Sequence, residues 1–248
     1  MNKKKLILLI NQKIGYRVLK FLSKSEEIVQ VVIIKKNNAY FEDIITLLEK
    51  KKIKFTTDFQ YFNKSKNLNK LNNIDFIISV YWPYFIDMEF INKSKYTVNF
   101  HPSYLPLNRG WYPHVYNIIR GDQAGVSLHE LSSKFDNGRI WFRKKVTVHI
   151  DDNASSLHER LSLQIYDLFE NNWNKIKYNK IKPIQQNKTL KFNSKSDINK
   201  FDEIFLNKKY KAIDLFKRIM ARNFYEKTFS YFNYQGKKYK VFLKIKKL

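Results

Sequence analysis

Cysteine is missing altogether from the 248 residues. Disulfides, thiolate metal sites and thiol nucleophiles are therefore excluded. Histidine is scarce too, with five in the chain. His158-Glu159 lacks the second histidine of a zinc-protease helix, and no metal site is expected. Long apolar runs are absent. "LILLI" at positions 6–10 follows three lysines and is too short for a signal-peptide core or a membrane span, so a cytoplasmic protein with no membrane partner is expected. Acidic side chains number 22 against 47 lysines and arginines, a formal charge of +25.

That charge has the sign of a nucleic-acid binder, but its distribution does not. The lysines run from "MNKKK" through "LEKKKIK" and "LNKKYK" to "LKIKKL" rather than gathering on one element. Asn, Ile, Phe and Tyr are also abundant, the signature of an AT-rich coding sequence. The charge reads as a solvated surface without a specific nucleic-acid partner, although it favours anionic ligands. Hydrophobic residues at 44% and aromatics at 16% can fill a core, and the length fits one large domain or a smaller one with an appendage.

Residues 5–10 read as a buried strand, followed by a helical stripe of Val18, Leu19 and Leu22. Further strands are expected at 27–36, 53–55, 74–80 and 96–100, with a helix over 40–52 whose apolar face is Phe41, Ile44, Ile45 and Leu48. This alternation predicts an α/β fold, a doubly wound and mostly parallel sheet. "AGVSLHELSS" and "IWFRKKVTVHI" read as antiparallel strands joined across "KFDNGR". A helix over about 154–177 directs Leu157, Leu161, Ile165, Leu168 and Phe169 inward. Residues 181–197 read as a linker or wrapping loop. The tail is expected to form a helix over roughly 208–221 and a hairpin turning at Gln235-Gly236, with Phe229, Tyr231, Val241 and Leu243 on one face. The division is 1–183 for the main domain and 184–248 for the wrapping loop, helix and β-hairpin.

Ligands of such sheets sit beyond the carboxyl ends of the strands. Two irregular stretches lie there, "YWPYFI" and "NFHPSYLPLNRG". Asn99 and His101 are two apart and share a strand face, and Pro102 and Pro106 end the ladder beside them. "KFDNGR" adds Asp136 on a turn at Gly138. An amide donor, an imidazole and a carboxylate suit acyl transfer: the amide stabilises an oxyanion, the imidazole moves a proton, and the carboxylate sets the imidazole's charge. With no Gly-x-Ser-x-Gly elbow, the acyl group would pass directly to a bound acceptor.

The order Asn99-x-His101-Pro102-Ser103-x-Leu105-Pro106, then Arg109-Gly110, Gly125-Val126-Ser127 and Asp136-Asn137-Gly138, resembles the formyltransferases that use N10-formyltetrahydrofolate. "IISVYWPYFI" and Gly15-Tyr16-Arg17-Val18-Leu19 extend the likeness over most of residues 1–180. The resemblance implies a formyltransferase-type, Rossmann-like fold. It gives Asn99 the oxyanion, His101 the acid/base step and Asp136 the orientation of His101. It assigns the folate pterin to Tyr81, Trp82, Pro83, Tyr84, Phe85 and Ile86, and a nucleotide sugar to Ser103, Tyr104, Arg109, Gly110, Trp111, Tyr112 and Pro113.

Within that family, methionyl-tRNA formyltransferases carry a C-terminal barrel larger than the residues after Pro183 supply. Glycinamide ribonucleotide formyltransferases lack the hairpin tail. "NRGWYPHVYNI" and the tail resemble most the enzymes that formylate dTDP-linked 4-amino or 3-amino dideoxyhexoses for O-antigens or surface layers, with dTDP-4-amino-4,6-dideoxyglucose the first candidate. The same likeness implies a homodimer paired through the C-terminal hairpin. A tRNA formyltransferase with a reduced tail and a basic nucleic-acid-binding protein on this fold are the alternatives. Among the other histidines, His114 reads as a cap or packing residue, and His149 and His158 as structural. His129 reads equally as an auxiliary group or a core histidine. The Trp141-Phe142 pair reads as core, and Asp151-Asp152 as acidic residues complementing a helix N-terminus.

Overall fold

The computed structural model describes residues 3–64, 71–187 and 192–246. Its main sheet has seven strands: β1 (Lys5–Ile10), β2 (Glu27–Ile33), β3 (Phe55–Thr56), β4 (Ile74–Val80), β5 (Ser94–His101), β6 (Gly125–His129) and β7 (Ile140–Lys145). Their spatial order is β3-β2-β1-β4-β5-β6-β7. The first five strands are parallel and β6 runs antiparallel to β5. The chain winds outward from β1 through β2 and β3, then restarts on the other side with β4. The crevice at this reversal of strand order is where such sheets bind ligands.

Three strands are shorter than the sequence pattern implied. β2 stops at Ile33, β3 keeps two residues, and β7 stops at Lys145. In β2 and β7 apolar residues continue past the end of the strand, and β3 starts two residues later than the pattern suggested, so propensity alone does not set the ladder.

Contacts divide the chain into two units, the first comprising 1–101, 127–143 and 165–187. Leu6 to Ile10 are all fully buried, as a strand covered on both faces requires. Helix α1 (Gln12–Leu22) buries Val18, Leu19 and Leu22, and α2 (Phe41–Lys50) buries Ile44 and Leu48. Short helices α3 (Phe59–Phe62) and α4 (Met88–Ile91) follow. The long helix α6 (Ala154–Lys177) gives this unit Ile165, Phe169, Trp173 and Ile176, all at most 1% exposed. Leu168 is only half-buried, one position off that stripe. Buried Glu26 accepts from the Lys4 N–H, Trp173 Nε1 and Lys177 Nζ. Burial alone would raise its pKa, but these donors hold the carboxylate below its ordinary value.

The second unit comprises 102–126, 144–164 and 188–248. Here α5 (Pro113–Arg120) packs on α7 (Ala212–Met220), which begins four residues later than the pattern suggested. After a 3₁₀ turn (Asn199–Phe201), two strand pairs close the tail, β8–β9 (Asn223–Phe224 with Lys227–Thr228) and β10–β11 (Tyr231–Tyr234 with Lys237–Lys240). Gln235 and Gly236 both have positive φ, as a two-residue hairpin turn demands. The hairpin register places Tyr231 opposite Lys240 and Phe232 opposite Tyr239. Val241 therefore shares the face of Phe232 and Tyr239, not that of Tyr231. Pairing parity across the turn reverses the face expected from the sequence.

The N-terminus of α6 is capped by Asn153, whose side chain accepts from the Ser156 N–H. Asp152 precedes that cap, and its carboxylate has further partners beyond the helix end that the sequence implied. It is engaged by Arg160, the His149 N–H and Ser156. No helix among the described residues is long and apolar enough to cross a membrane.

His114 and His158 meet in this unit at 5.2 Å between ring centres, with Phe224 against both. Burial pushes His114 well below its ordinary value, and the neighbouring His158 and Arg222 add to this. Burial likewise lowers His158 to about 4. Below pH 6.5 the unfolded chain takes up protons that these folded imidazoles refuse. Stability should therefore fall on acidification by about 1.4 kcal/mol per pH unit for each of them. For His158 the loss runs from its unfolded value of 6.5 down to about 4. Urea melts between pH 7 and pH 5 check this. His158→Phe should flatten the slope, and an unchanged slope would show that the pair does not govern acid stability.

Candidate active site

Asn99 and His101 lie at the carboxyl end of β5, and His101 is 6% exposed. β6 pairs antiparallel beside them, with Asn99 opposite His129 and His101 opposite Ser127. Asp136, on the turn between β6 and β7, completes the cluster. Its Oδ1 is 3.5 Å from His101 Nδ1 and 3.6 Å from His129 Nε2, and its side chain is 13% exposed. Both separations are longer than a direct hydrogen bond, and the carboxylate faces Nδ1 of His101 while lying beside Nε2 of His129. Asn99 Nδ2 is 2.9 Å from His129 Nε2. The amide, imidazole and carboxylate picked out from the sequence are thus brought together in the first unit, with a second imidazole between them.

The turn carrying Asp136 is held from several directions. Asp136 has a left-handed φ of 51°, a conformation Asp and Asn tolerate better than most residues. The Glu130 N–H donates to Arg139 O, and the Glu130 carboxylate takes both Arg139 Nε and Nη2. Gly138 lies so close to this clamp that a Cβ there would meet Glu130 O at 1.8 Å. Gln186 Nε2 donates to the carbonyls of Asp136 and Gly138 at 3.0 and 2.8 Å. Gln186 falls in the stretch read as linker, and no local signal marks it. Trp141 is core as expected, with its Nε1 donating to Thr97 O.

The stretch expected to meet a pterin leaves the sheet in the same place. Val80 pairs with Phe100, so Tyr81 emerges beside His101. Tyr81 has φ 50°, Ile86 is buried, and the rings of Tyr84 and Phe85 are about half exposed. Phe85 packs edge-on to Phe135, next to Asp136, with centroids 5.4 Å apart. Trp82 and Pro83 are partly buried, and the shielded Trp82 Nε1 has no acceptor among the described residues. Exposed aromatic faces and an unmatched indole donor fit a flat heterocycle rich in acceptors. Among the described residues no acidic or histidine cluster could hold a metal ion.

Ser103, Tyr104, Arg109, Gly110, Trp111, Tyr112 and Pro113 all lie in the second unit. Ser103 and Arg109 are buried, at 1% and 4% exposure. Asn193 clasps their loop: its N–H donates to Arg109 O and its carbonyl accepts from the Trp111 N–H, both at 2.9 Å. Gly110 has φ 92°, and a Cβ on it would meet Asn193 O at 2.3 Å. Tyr112 is left-handed at the N-cap of α5, with Pro113 opening the helix. Lys195 Nζ stands 5.5 Å over the Trp111 ring. The clasp was not legible from the sequence, and residues 188–191 of the expected wrapping loop lie outside the described residues.

A family profile described as formyl transferase matches residues 2–169. A dTDP-4-amino-4,6-dideoxyglucose formyltransferase of Mycobacterium tuberculosis is 39% identical over 64 residues, 26% of this chain and 27% of that protein. The match thus spans about a quarter of that relative's length. A methionyl-tRNA formyltransferase of Malacoplasma penetrans is 26% identical over 234 residues, covering 92% of this chain and 72% of that one. Among solved structures, a 4-N formyltransferase from Francisella tularensis superposes with TM-score 0.84 over 99% of both chains at 21% identity. An N-formyltransferase from Helicobacter canadensis, solved with folinic acid and dTDP-3-aminofucose, gives 0.73 at 20% identity over 95% of this chain and 85% of that one.

Proposed function

Because the chain belongs to the formyl transferase family, we propose that it moves a formyl group from N10-formyltetrahydrofolate to the amino group of a dTDP-linked amino-dideoxyhexose. dTDP-4-amino-4,6-dideoxyglucose is the leading acceptor, and the product serves O-antigen or surface-glycan synthesis. The observation that carries this reading is the convergence of Asn99, His101 and Asp136 at the end of β5. The complexes of the Helicobacter relative and the name of the Mycobacterium one support the folate and the sugar nucleotide. The fold match to the Francisella 4-N formyltransferase, over 99% of both chains, supports transfer to an amine.

In this reading the sugar amine attacks the formyl carbon. A C–N bond forms while the carbonyl electron pair moves onto oxygen, where the Asn99 amide N–H stabilises it; such a donor contributes roughly 3 kcal/mol at comparable sites. Asp136 faces His101 Nδ1 and keeps a proton there, which leaves Nε2 as the nitrogen that exchanges protons. His101 removes one proton from the attacking amine, and one is returned to the departing folate nitrogen as its bond to the formyl carbon breaks. Tyr84 and Phe85 flank the pterin, and the Trp82 indole donates to it. Arg109 and Trp111 serve the diphosphate and the sugar or base. The assay is direct: incubate the protein with N10-formyltetrahydrofolate and either dTDP-4-amino-4,6-dideoxyglucose or charged initiator tRNA. A product heavier by one CO on the sugar nucleotide confirms the reading. Formylation of the tRNA alone would replace it.

We also propose a domain division near residue 183 and a homodimer formed through the tail. Phe229 and Phe242, on one face of the hairpin, are each 49% exposed, and Ile213 and Phe216 on α7 are each 41% exposed. An isolated two-stranded hairpin is marginal in water, and a twofold partner would cover these rings. Sedimentation should show a dimer at micromolar concentration. Deleting residues 224–248 should give a monomer that still binds formyltetrahydrofolate. A monomeric full-length chain would rule the dimer out. We place the reaction in the cytoplasm, where nucleotide-activated sugars are available.

A further inference from the structure

We propose that His129 is a positioning residue that sets the orientation of the Asn99 amide. This inference rests on the oxyanion role of Asn99 given above. β5 and β6 pair antiparallel with Asn99 and His129 directly opposite, so their side chains leave the same face of the sheet as close neighbours. His129 is 1% exposed, and both of its ring nitrogens have partners. Nδ1 is 2.7 Å from the Glu130 carbonyl oxygen, which can only accept. The proton of the neutral ring therefore sits on Nδ1, and the lone pair on Nε2.

Nε2 in turn lies 2.9 Å from Asn99 Nδ2. A lone pair at that position accepts from the amide nitrogen and repels the amide oxygen. It therefore selects one of the two flips of the Asn99 side chain. One amide N–H is used on His129, and the second is left to serve the reaction. With the other flip the amide would present oxygen, an acceptor, where a donor to an oxyanion is required. Glu130 thus fixes the tautomer of His129, and His129 fixes the amide of Asn99. Glu130 is itself held by Arg139 through its N–H and its carboxylate. A chain of directed contacts runs from the base of the β6–β7 turn to the oxyanion donor. Buried histidines generally have their nitrogens paired; what sets His129 apart is that one partner is the Asn99 amide.

The test is a set of variants assayed with N10-formyltetrahydrofolate and dTDP-4-amino-4,6-dideoxyglucose. His129→Leu removes the acceptor and should lower kcat by about tenfold or more, with little change in either KM, because misplacing a catalytic group by a fraction of its length costs up to ~100-fold. His129→Gln can place an amide oxygen near the former Nε2, and should recover kcat to within about threefold of wild type, as expected when that one hydrogen bond is the function. His129→Asn reaches only to Nδ1 and should stay as slow as His129→Leu. The double variant Asn99→Ala/His129→Leu should be no slower than Asn99→Ala, since the two residues act as a unit. Equal kcat for the Leu, Asn and Gln variants, or additive losses in the double variant, would overturn the positioning role. A fully active Asn99→Ala would instead remove the oxyanion reading beneath it. An inactive Asn99→Ala beside a fully active His129→Leu would remove the positioning role alone.

Discussion

Replacing His101 with asparagine should lower turnover by about a hundredfold or more, the usual contribution of a positioned general acid or base. Folding and dTDP binding should stay nearly intact. The amide keeps the approximate shape of the ring near Cβ but cannot exchange a proton. Asp136→Asn should act in the same direction. It preserves the left-handed backbone at φ 51°, which asparagine also tolerates. It removes the negative charge that lies 3.5 Å from His101 Nδ1 and 3.6 Å from His129 Nε2. Neither substitution opens a core cavity, because both side chains stand at the end of a strand or on a turn rather than between layers. Single-turnover kinetics together with a thermal melt separate chemistry from folding. A His101→Asn protein with wild-type turnover would end the acid/base assignment.

What was legible in the sequence was what short-range pattern determines. Five apolar residues in a row mark β1, and a spacing of two puts Asn99 and His101 on one face. Alternation of strand and helix yields the doubly wound sheet, and the prolines after His101 mark where it ends. Less legible was anything that depends on which segment pairs with which. His129 stands opposite Asn99 only because β6 returns antiparallel beside β5, and nothing within "SLHEL" announces that neighbour. Gln186 reaches the Asp136 turn from 50 residues away. The Asn193 clasp on Arg109 and Trp111 is formed by two backbone groups, which carry no side-chain signature at all. The hairpin face failed for a related reason. Its apolar residues were visible, but their sidedness depends on pairing parity across Gln235-Gly236.

Gly138→Ala should be the most informative single methyl group in this protein. Its Cβ would lie 1.8 Å from the Glu130 carbonyl oxygen and 2.6 Å from its carbon. No rotamer relieves a clash between a Cβ and a backbone, so one of the two segments must move. Glu130 cannot move alone: its N–H is bound to Arg139 O, and its carbonyl accepts from His129 Nδ1. Gly138 is held in turn by Gln186 at its own carbonyl. Whichever side yields, the displacement reaches Asp136 through the turn or Asn99 through His129. Overpacking of this kind costs about 1–3 kcal/mol of stability. A shift of ~1 Å in the catalytic groups costs up to about a hundredfold in rate. The activity loss should therefore exceed what the lowered melting temperature explains, and it should persist at temperatures where the variant is fully folded. Folate affinity should fall less than turnover, because the turn touches that stretch through Phe135 against Phe85 whereas Trp82 and Tyr84 pack on Phe59. A Gly138→Ala protein with normal turnover and an unchanged melt would show that the β6–β7 turn is loose and does not hold Asp136 in place.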